Sequence, residues 1–336
     1  MATYKGIQGF TIQNLSADPS NPIEGQVWYN STSNVWKVEE LTTAGAWATG
    51  GNMGTARRDL GGTGTQTAAL AISGSTNPNT PSNLSEEYDG SAWTAGGTMG
   101  TSRQRFAGFG TQTAGVGAGG YNVSGPPYDM TNTEEYDGST WTGGGNLGTA
   151  RYAQSGAGTL TAGLISAGGA NATGSISVAT EEYDGTSWTA GGNVATGRRF
   201  LAGGGIQTAA VIFGGLKPSA PNRSNATEEY DGSSWTAGGN LNTERSGLGG
   251  CGTQTAALGY GGDAPPVTNV TESYDGTSWT TLPATMGTAR ERVTLGPVGT
   301  QSSALLFGGF TGTAYSNATE EWTGAGAAVT KTITTS

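Results

Sequence analysis

The chain has 336 residues, of which 61 are glycine and 12 proline, and a formal net charge of −10 with no histidine. The missing histidine removes the commonest metal ligand and the commonest general base, and the single cysteine, Cys251, excludes an intrachain disulfide or a zinc site of its own. Glycine and proline approach the share seen in aperiodic disorder, but nine tryptophans and twelve tyrosines argue for a packed core.

Residues 1–10 lack a basic stretch leading into an apolar run, so no secretory signal is expected. Residues 18–22, Asp-Pro-Ser-Asn-Pro, read as a turn-rich linker. Residues 25–38 then predict a hairpin with aromatics on both arms, Trp28 and Tyr29 on one and Trp36 on the other.

From residue 46 onward the chain repeats itself. Glu-Glu-Tyr-Asp-Gly-x-x-Trp recurs at 86–93, 134–141, 181–188 and 228–235, and a variant carrying Ser273 leads to Trp279. The Tyr-to-Tyr steps are 48, 47, 47 and 44 residues, the length of a four-stranded propeller blade. An arginine follows each Trp by ten or eleven residues, at Arg57, Arg103, Arg151, Arg198, Arg245 and Arg290. A short apolar run comes next and ends in a small-residue pair: Ser73-Gly74, Gly119-Gly120, Gly168-Gly169, Gly214-Gly215, Gly261-Gly262 and Gly308-Gly309. Each unit predicts four strands, two between Arg and the pair, a third on Glu-Glu-Tyr and a fourth on Trp. The Asp-Gly between the last two is a hairpin-turn signal. No helical period appears, so the chain reads as all-β.

The glycine pair, then Tyr, then Trp five residues later, as in Gly214-Gly215, Tyr230 and Trp235, resembles the kelch repeat. The resemblance covers residues 46–322 in six copies and implies a six-bladed β-propeller with four-stranded blades. The sixth copy ends at Glu320-Glu321-Trp322 with no Trp strand after it, so the strand at Ala46-Trp47 is expected to complete that blade and close the ring. The chain then divides into an anchoring hairpin region, 1–45, the propeller, 46–322, and a tail, 323–336, whose alternating Val329, Lys331 and Ile333 suit a strand added to a partner or to the hairpin. Residues 25–38 also resemble a short module of tail and other structural proteins of bacteriophages, especially marine ones. That resemblance implies that Trp28, Tyr29 and Trp36 anchor the chain on other virion proteins.

Most charge belongs to the repeat. Sixteen of 25 acids lie in the Glu-Glu-Tyr-Asp copies, and ten of 15 bases lie at or within two residues of the repeated Arg. A motif present in every blade builds the blade, so Arg–Glu pairs between strands are expected. Adjacent glutamates such as Glu86 and Glu87 point to opposite faces of a strand, and the repetition singles out no pair for glycoside hydrolysis. An arginine triad of the sialidase kind cannot be picked out either. Cys251 reads as a strand filler, the Asn-Ala-Thr sequons at Asn225 and Asn317 as turn initiators, and no cofactor or metal is expected. The acidic balance argues against nucleic acid, and no run of about 18 apolar residues suggests a membrane span.

The copies differ between the glycine pair and the next Glu, in segments rich in proline and stray aromatics. Variable loops on a rigid scaffold are the default recognition surface. Partner contacts are therefore expected at Tyr121, Pro126, Tyr128, Lys217, Arg223, Pro265, Phe310 and Tyr315. The expectation is a non-enzymatic virion protein of a phage, tail-associated, made in the host cytoplasm, whose propeller contacts proteins or a host-surface glycan. A capsid decoration or head-fibre protein, and a glycan-binding or glycan-hydrolysing propeller, are the alternatives. A homo-oligomer would suit a virion position.

Overall fold

A computed structural model describes residues 13–19, 25–41, 44–77, 80–123, 128–170, 175–220, 222–325 and 328–333. The chain forms two units, one from Met1–Gly45 with Thr323–Ser336 and one from Ala46–Trp322. Among the described residues no helix forms.

The larger unit contains six four-stranded sheets. The fourth shows the pattern: Ala202–Ile206, Ala209–Phe213, Thr227–Tyr230 and Trp235–Ala237, each strand antiparallel to the one before. The first strands of the six sheets are Gly61–Thr65, Ala107–Thr111, Ser155–Thr159, Ala202–Ile206, Gly249–Thr253 and Gly299–Thr300, and they touch one another in order, the sixth returning to the first. This is a closed ring of six blades, a β-propeller. Ala46–Thr49 is hydrogen-bonded to Thr319–Thr323 as the fourth strand of blade six, so the two ends of the unit share one sheet. Glycine on the inner strands lets neighbouring blades meet backbone to backbone: a Cβ on Gly108 would lie 2.8 Å from the Gly62 nitrogen, and one on Gly204 2.7 Å from the Gly252 oxygen.

Two details depart from the sequence reading. In blade three the pair that ends the second strand is Ala167-Gly168, not Gly168-Gly169. Gly168 donates to the Arg198 carbonyl just as Gly120 donates to that of Arg151, and Ala167 accepts a positive φ of 60°, as Ser73 does at 51° in blade one, where the other four copies use glycine. Blade six has a shortened inner strand. Its residues before Gly299 cross the axis, where Leu295 donates to the Leu60 carbonyl and accepts from Gly108, on blades one and two. Thr294, Leu295 and Val298 are buried there. Blade six adjoins only blades five and one, so contact with blade two means that this segment plugs the ring.

The repeated residues hold each blade and link it to the next. Each repeated Arg is fully buried and donates to two carbonyls and to the first Glu of its own blade; Arg198 reaches Glu228 at 2.7 Å, Gly214 O at 2.9 Å and Ala226 O at 2.6 Å. The second oxygen of that Glu accepts a backbone N–H, from Ala195 at 2.6 Å for Glu228. The second Glu faces the next blade and accepts from its Tyr, as Glu182 does from Tyr230 at 2.6 Å. Every repeated Trp donates to a Thr or Ser of the preceding blade, at 2.9–3.0 Å. The Gln of the constant turn spans the same joint: Gln112 donates to Ala69 O and Tyr88 O. The Asn before Glu-Glu is a brace rather than only a turn former, Asn225 donating to Leu241 O and Asn317 to Met53 O.

The smaller unit is one sheet of Gln13–Leu15, Val27–Asn30, Val35–Leu41 and Ala328–Ile333, in that order. Trp28 is buried, with its indole nitrogen donating to Asp18 at 3.0 Å. Lys37, Asn30 and Trp28 all donate to Asp18, which holds its carboxyl down to about 2. Tyr29 and Trp36 pair across the hairpin with ring centres 5.3 Å apart, and Trp36 is 40% exposed.

Candidate ligand-binding face

Antiparallel alternation sends the variable loops and the segments that precede each inner strand to the same face of the propeller, opposite the Asp-Gly turns. The second residue after each repeated Arg is Asp59, Arg105, Ala153, Phe200, Gly247 or Arg292, and each has a φ between +49° and +62°. Five of these are not glycine, and the left-handed region costs such residues about 1–2 kcal/mol each. The cost is met by a closed ring of hydrogen bonds. Each N–H donates to the carbonyl of its counterpart in the preceding blade, Asp59 to Arg292 and so on around the axis, at 2.6–2.9 Å. Strained backbone held by its surroundings clusters at functional sites.

The residue before each ring member, Arg58, Gln104, Tyr152, Arg199, Ser246 or Glu291, pairs with the start of a variable loop, at Ser75, Tyr121, Gly169, Leu216, Asp263 or Phe310. These two concentric sets differ in chemistry from blade to blade, although the Arg beside them is the same in all six. They concentrate charge. Asp59, fully buried, is 3.3 Å from Arg105, 3.5 Å from Arg292 and 3.7 Å from Arg58. Arg292 and Arg105 lie over the Phe200 ring at 4.8 and 5.6 Å, and Arg58 lies over Tyr315 and Phe310 at 4.7 and 5.0 Å. Arg199 donates to the Tyr152 hydroxyl at 2.7 Å. Burial raises the Glu291 carboxyl, with Asp263 and Asp59 adding to the rise and Arg292 and Arg58 opposing it.

The loop residues singled out in the sequence divide. Tyr121 stacks on Tyr128 with ring centres 5.8 Å apart, lies 5.6 Å from Tyr152, and has Arg105 over its face at 5.5 Å. Phe310 and Tyr315 meet edge to face at 5.7 Å, under Arg58. These four border the charged ring. Arg223 pairs with Asp263 at 2.5 Å, joining the loops of blades four and five. Lys217 is half-buried and Pro265 exposed, and neither joins the cluster; Pro126 lies outside the described residues. Asp59 and Glu291 are not singled out in the sequence, and Arg58, Arg105, Arg199 and Arg292 count there among the bases of the structural repeat. Their signal was the doublets Arg57-Arg58 and Arg198-Arg199 and the Arg-x-Arg at 103–105 and 290–292, extra charges that the other copies lack. Three guanidiniums, those of Arg58, Arg105 and Arg292, share Asp59.

Elsewhere the chemistry is structural. Cys251 is buried with its thiol pointing to Thr300 O at 3.3 Å, and burial pushes it up. Trp28 lies inside its sheet, while Tyr29 and Trp36 line a pocket of about 330 Å³ with Gln13 and Asn14.

No protein-family model matches the chain, and no curated protein matches it in sequence. Solved structures do. One described as the structure of YjhT aligns with a TM-score of 0.66 over 80% of this chain and 95% of its own, at 11% identity. The shared feature is the fold. The chain is a β-propeller. At that identity the likeness carries the architecture and no activity.

Proposed function

We propose that the chain is a non-enzymatic recognition protein of a bacteriophage particle, whose kelch-type propeller turns its axial face toward a host-surface ligand. The observation that carries the recognition reading is the contrast between blades. Residues that build the blade repeat almost unchanged, whereas the pair of positions around the axis is a different combination in each copy and holds arginines, acids and aromatics. The attachment reading rests on residues 25–38, their likeness to the phage module and the Tyr29–Trp36 pair, of which Trp36 is exposed. Its contacts are other virion proteins, and neither metal nor cofactor takes part.

Binding of labelled full-length protein to host cells tests the first part. Tyr121→Ala with Tyr128→Ala is expected to weaken binding at least tenfold with little change in melting temperature, while Asp231→Asn on the opposite face leaves it unchanged. Equal loss from both faces would overturn the assignment. Mass spectrometry of purified particles tests the second part, and absence of the chain would refute a virion role. A glycan-hydrolysing version is favoured by Glu291, half-buried on this face, whose carboxyl burial raises against the opposing pull of Arg292 and Arg58, as a general acid requires; release of new reducing ends, lost in Glu291→Gln, would replace the binding reading with it.

A further inference from the structure

Resting on the axial face as the recognition site, we propose that its arginine cluster seats the carboxylate of an acidic sugar, presented by a surface polysaccharide. The first argument is charge. Around the axis stand Arg58, Arg105, Arg199 and Arg292 against Asp59 and Glu291, with Asp263 beside them already paired to Arg223. One oxygen, Asp59 Oδ2, is shared by three guanidiniums at 3.3, 3.5 and 3.7 Å. Each guanidinium has five N–H donors, so most of that capacity faces away from Asp59. The side chains of Arg58, Arg105 and Arg292 are only 14%, 22% and 27% exposed. Gathering like charges with so little water is unfavourable unless an anion joins them.

The second argument is a donor left over. Nε2 of Gln104, a residue 1% exposed on the same ring between Arg58 and Tyr152, is buried without an acceptor; Arg199 Nε is too, a feature it shares with five of the blade-building arginines. The third is rigidity. Arg58, Arg105 and Arg292 each lie over an aromatic face, which fixes the guanidinium planes before a ligand arrives and reduces the ordering cost of binding. A planar carboxylate is the group that an arginine fork accepts through two parallel bonds. The half-buried aromatics at the border, Tyr121 with Tyr128 and Phe310 with Tyr315, supply flat apolar walls for the rest of a sugar ring. In a chain of net charge −10 this positive mouth also faces away from the exposed Asp89, Asp137, Asp184, Asp231 and Asp275 turns, so an anion is steered to it.

Calorimetric titration of the full chain with trigalacturonate, its neutral galactose counterpart, a sulfated galactan fragment and a glutamate peptide tests this. The expected result is saturable binding of trigalacturonate that weakens as salt rises, at least tenfold weaker binding of the other three, and a loss of at least tenfold in Arg105→Gln and in Arg292→Gln. Arg292→Lys, which keeps the charge and loses the fork, is expected to fall between wild type and Arg292→Gln, and it serves if the Gln variants do not fold. Equal binding of the sulfated fragment would overturn the carboxylate assignment, equal binding of the peptide the sugar, and unchanged affinity in all three variants the site. Cell binding that depends on Tyr121 and Tyr128 while trigalacturonate neither binds nor competes would defeat this inference alone. No cell binding at all would defeat the recognition reading itself.

Discussion

A buried arginine is tolerated in each blade because its Nη groups are held on all sides, although Nε finds no acceptor in five of the six. Arg245 and Glu272 have no exposed side-chain surface, and burial draws the guanidinium down to about 10, still charged at neutral pH. Two carbonyls and a carboxylate take the Nη donors, and the carboxylate's other oxygen caps a backbone N–H. Removing one partner therefore strands the other. Glu228→Ala leaves Arg198 charged and unpaired, and is expected to lower unfolding stability by about 3–5 kcal/mol in a denaturant titration. Replacing both, Arg198→Met with Glu228→Leu, is expected to cost less than Glu228→Ala alone. A double variant worse than the single would show that the carbonyl contacts of Arg198, not its charge, matter most.

Between blades the unit of stability is a joint with three polar ties: Trp to Thr or Ser, Tyr to Glu, and Gln to two carbonyls. The Trp tie spans all six joints. The Tyr–Glu tie spans five, and the exception is instructive. At the joint of blades five and six the glutamate has become Ser273 and the tyrosine Trp322, so both partners are replaced together. Trp322 instead packs against Trp47 with ring centres 5.4 Å apart and donates to Gln301 O. Blade three replaces its Gln by Leu160, which adds to the apolar cluster around Phe109 and Val116. The Tyr–Glu ties also set an alkaline limit. Burial, then the bond to Glu, pushes Tyr88, Tyr183, Tyr230 and Tyr274 up to about 12, above the ordinary value near 10. The unfolded chain thus loses these protons first. Their contribution is fully present below pH of about 10 and is lost as pH rises to about 12. Melting curves are expected to be flat up to the first value and to fall steeply toward the second. Tyr183→Phe with Tyr230→Phe is expected to make that fall shallower; an unchanged slope would assign the alkaline loss to other groups.

At the scale of the whole molecule, closure is the decisive step. Ala46–Thr49 completes the last blade, and Trp47 meets Tyr260 at 5.2 Å, Trp322 at 5.4 Å and Thr271 at 2.9 Å, so one strand ties the start of the propeller to its final blades. Deleting residues 1–41 spares that strand; deleting 1–49 removes it and bares the edge of Thr319–Thr323. The propeller transition is expected to survive the first deletion and to fall by at least 10 °C, with aggregation, in the second. Equal melting of the two would refute the role of the closing strand.

The blade pattern was legible in the sequence because its determinants are local. The Asp-Gly turn, the Arg–Glu pair within one sheet and the alternation on each strand all lie within one repeat, and six copies display them side by side. The ring of left-handed residues was not legible, because its members are some 45 residues apart and meet only once the blades close around an axis. Counting charges could place Arg58, Arg105, Arg199 and Arg292 beside a structural motif; it could not show that Arg58, Arg105 and Arg292, from three separate blades, meet on Asp59. The sequence alone determined the strands, the blade and the number of copies, since these follow from short-range pattern. Only the tertiary structure decided where the recognition chemistry converges, because rotational closure, and no local preference, makes those residues neighbours.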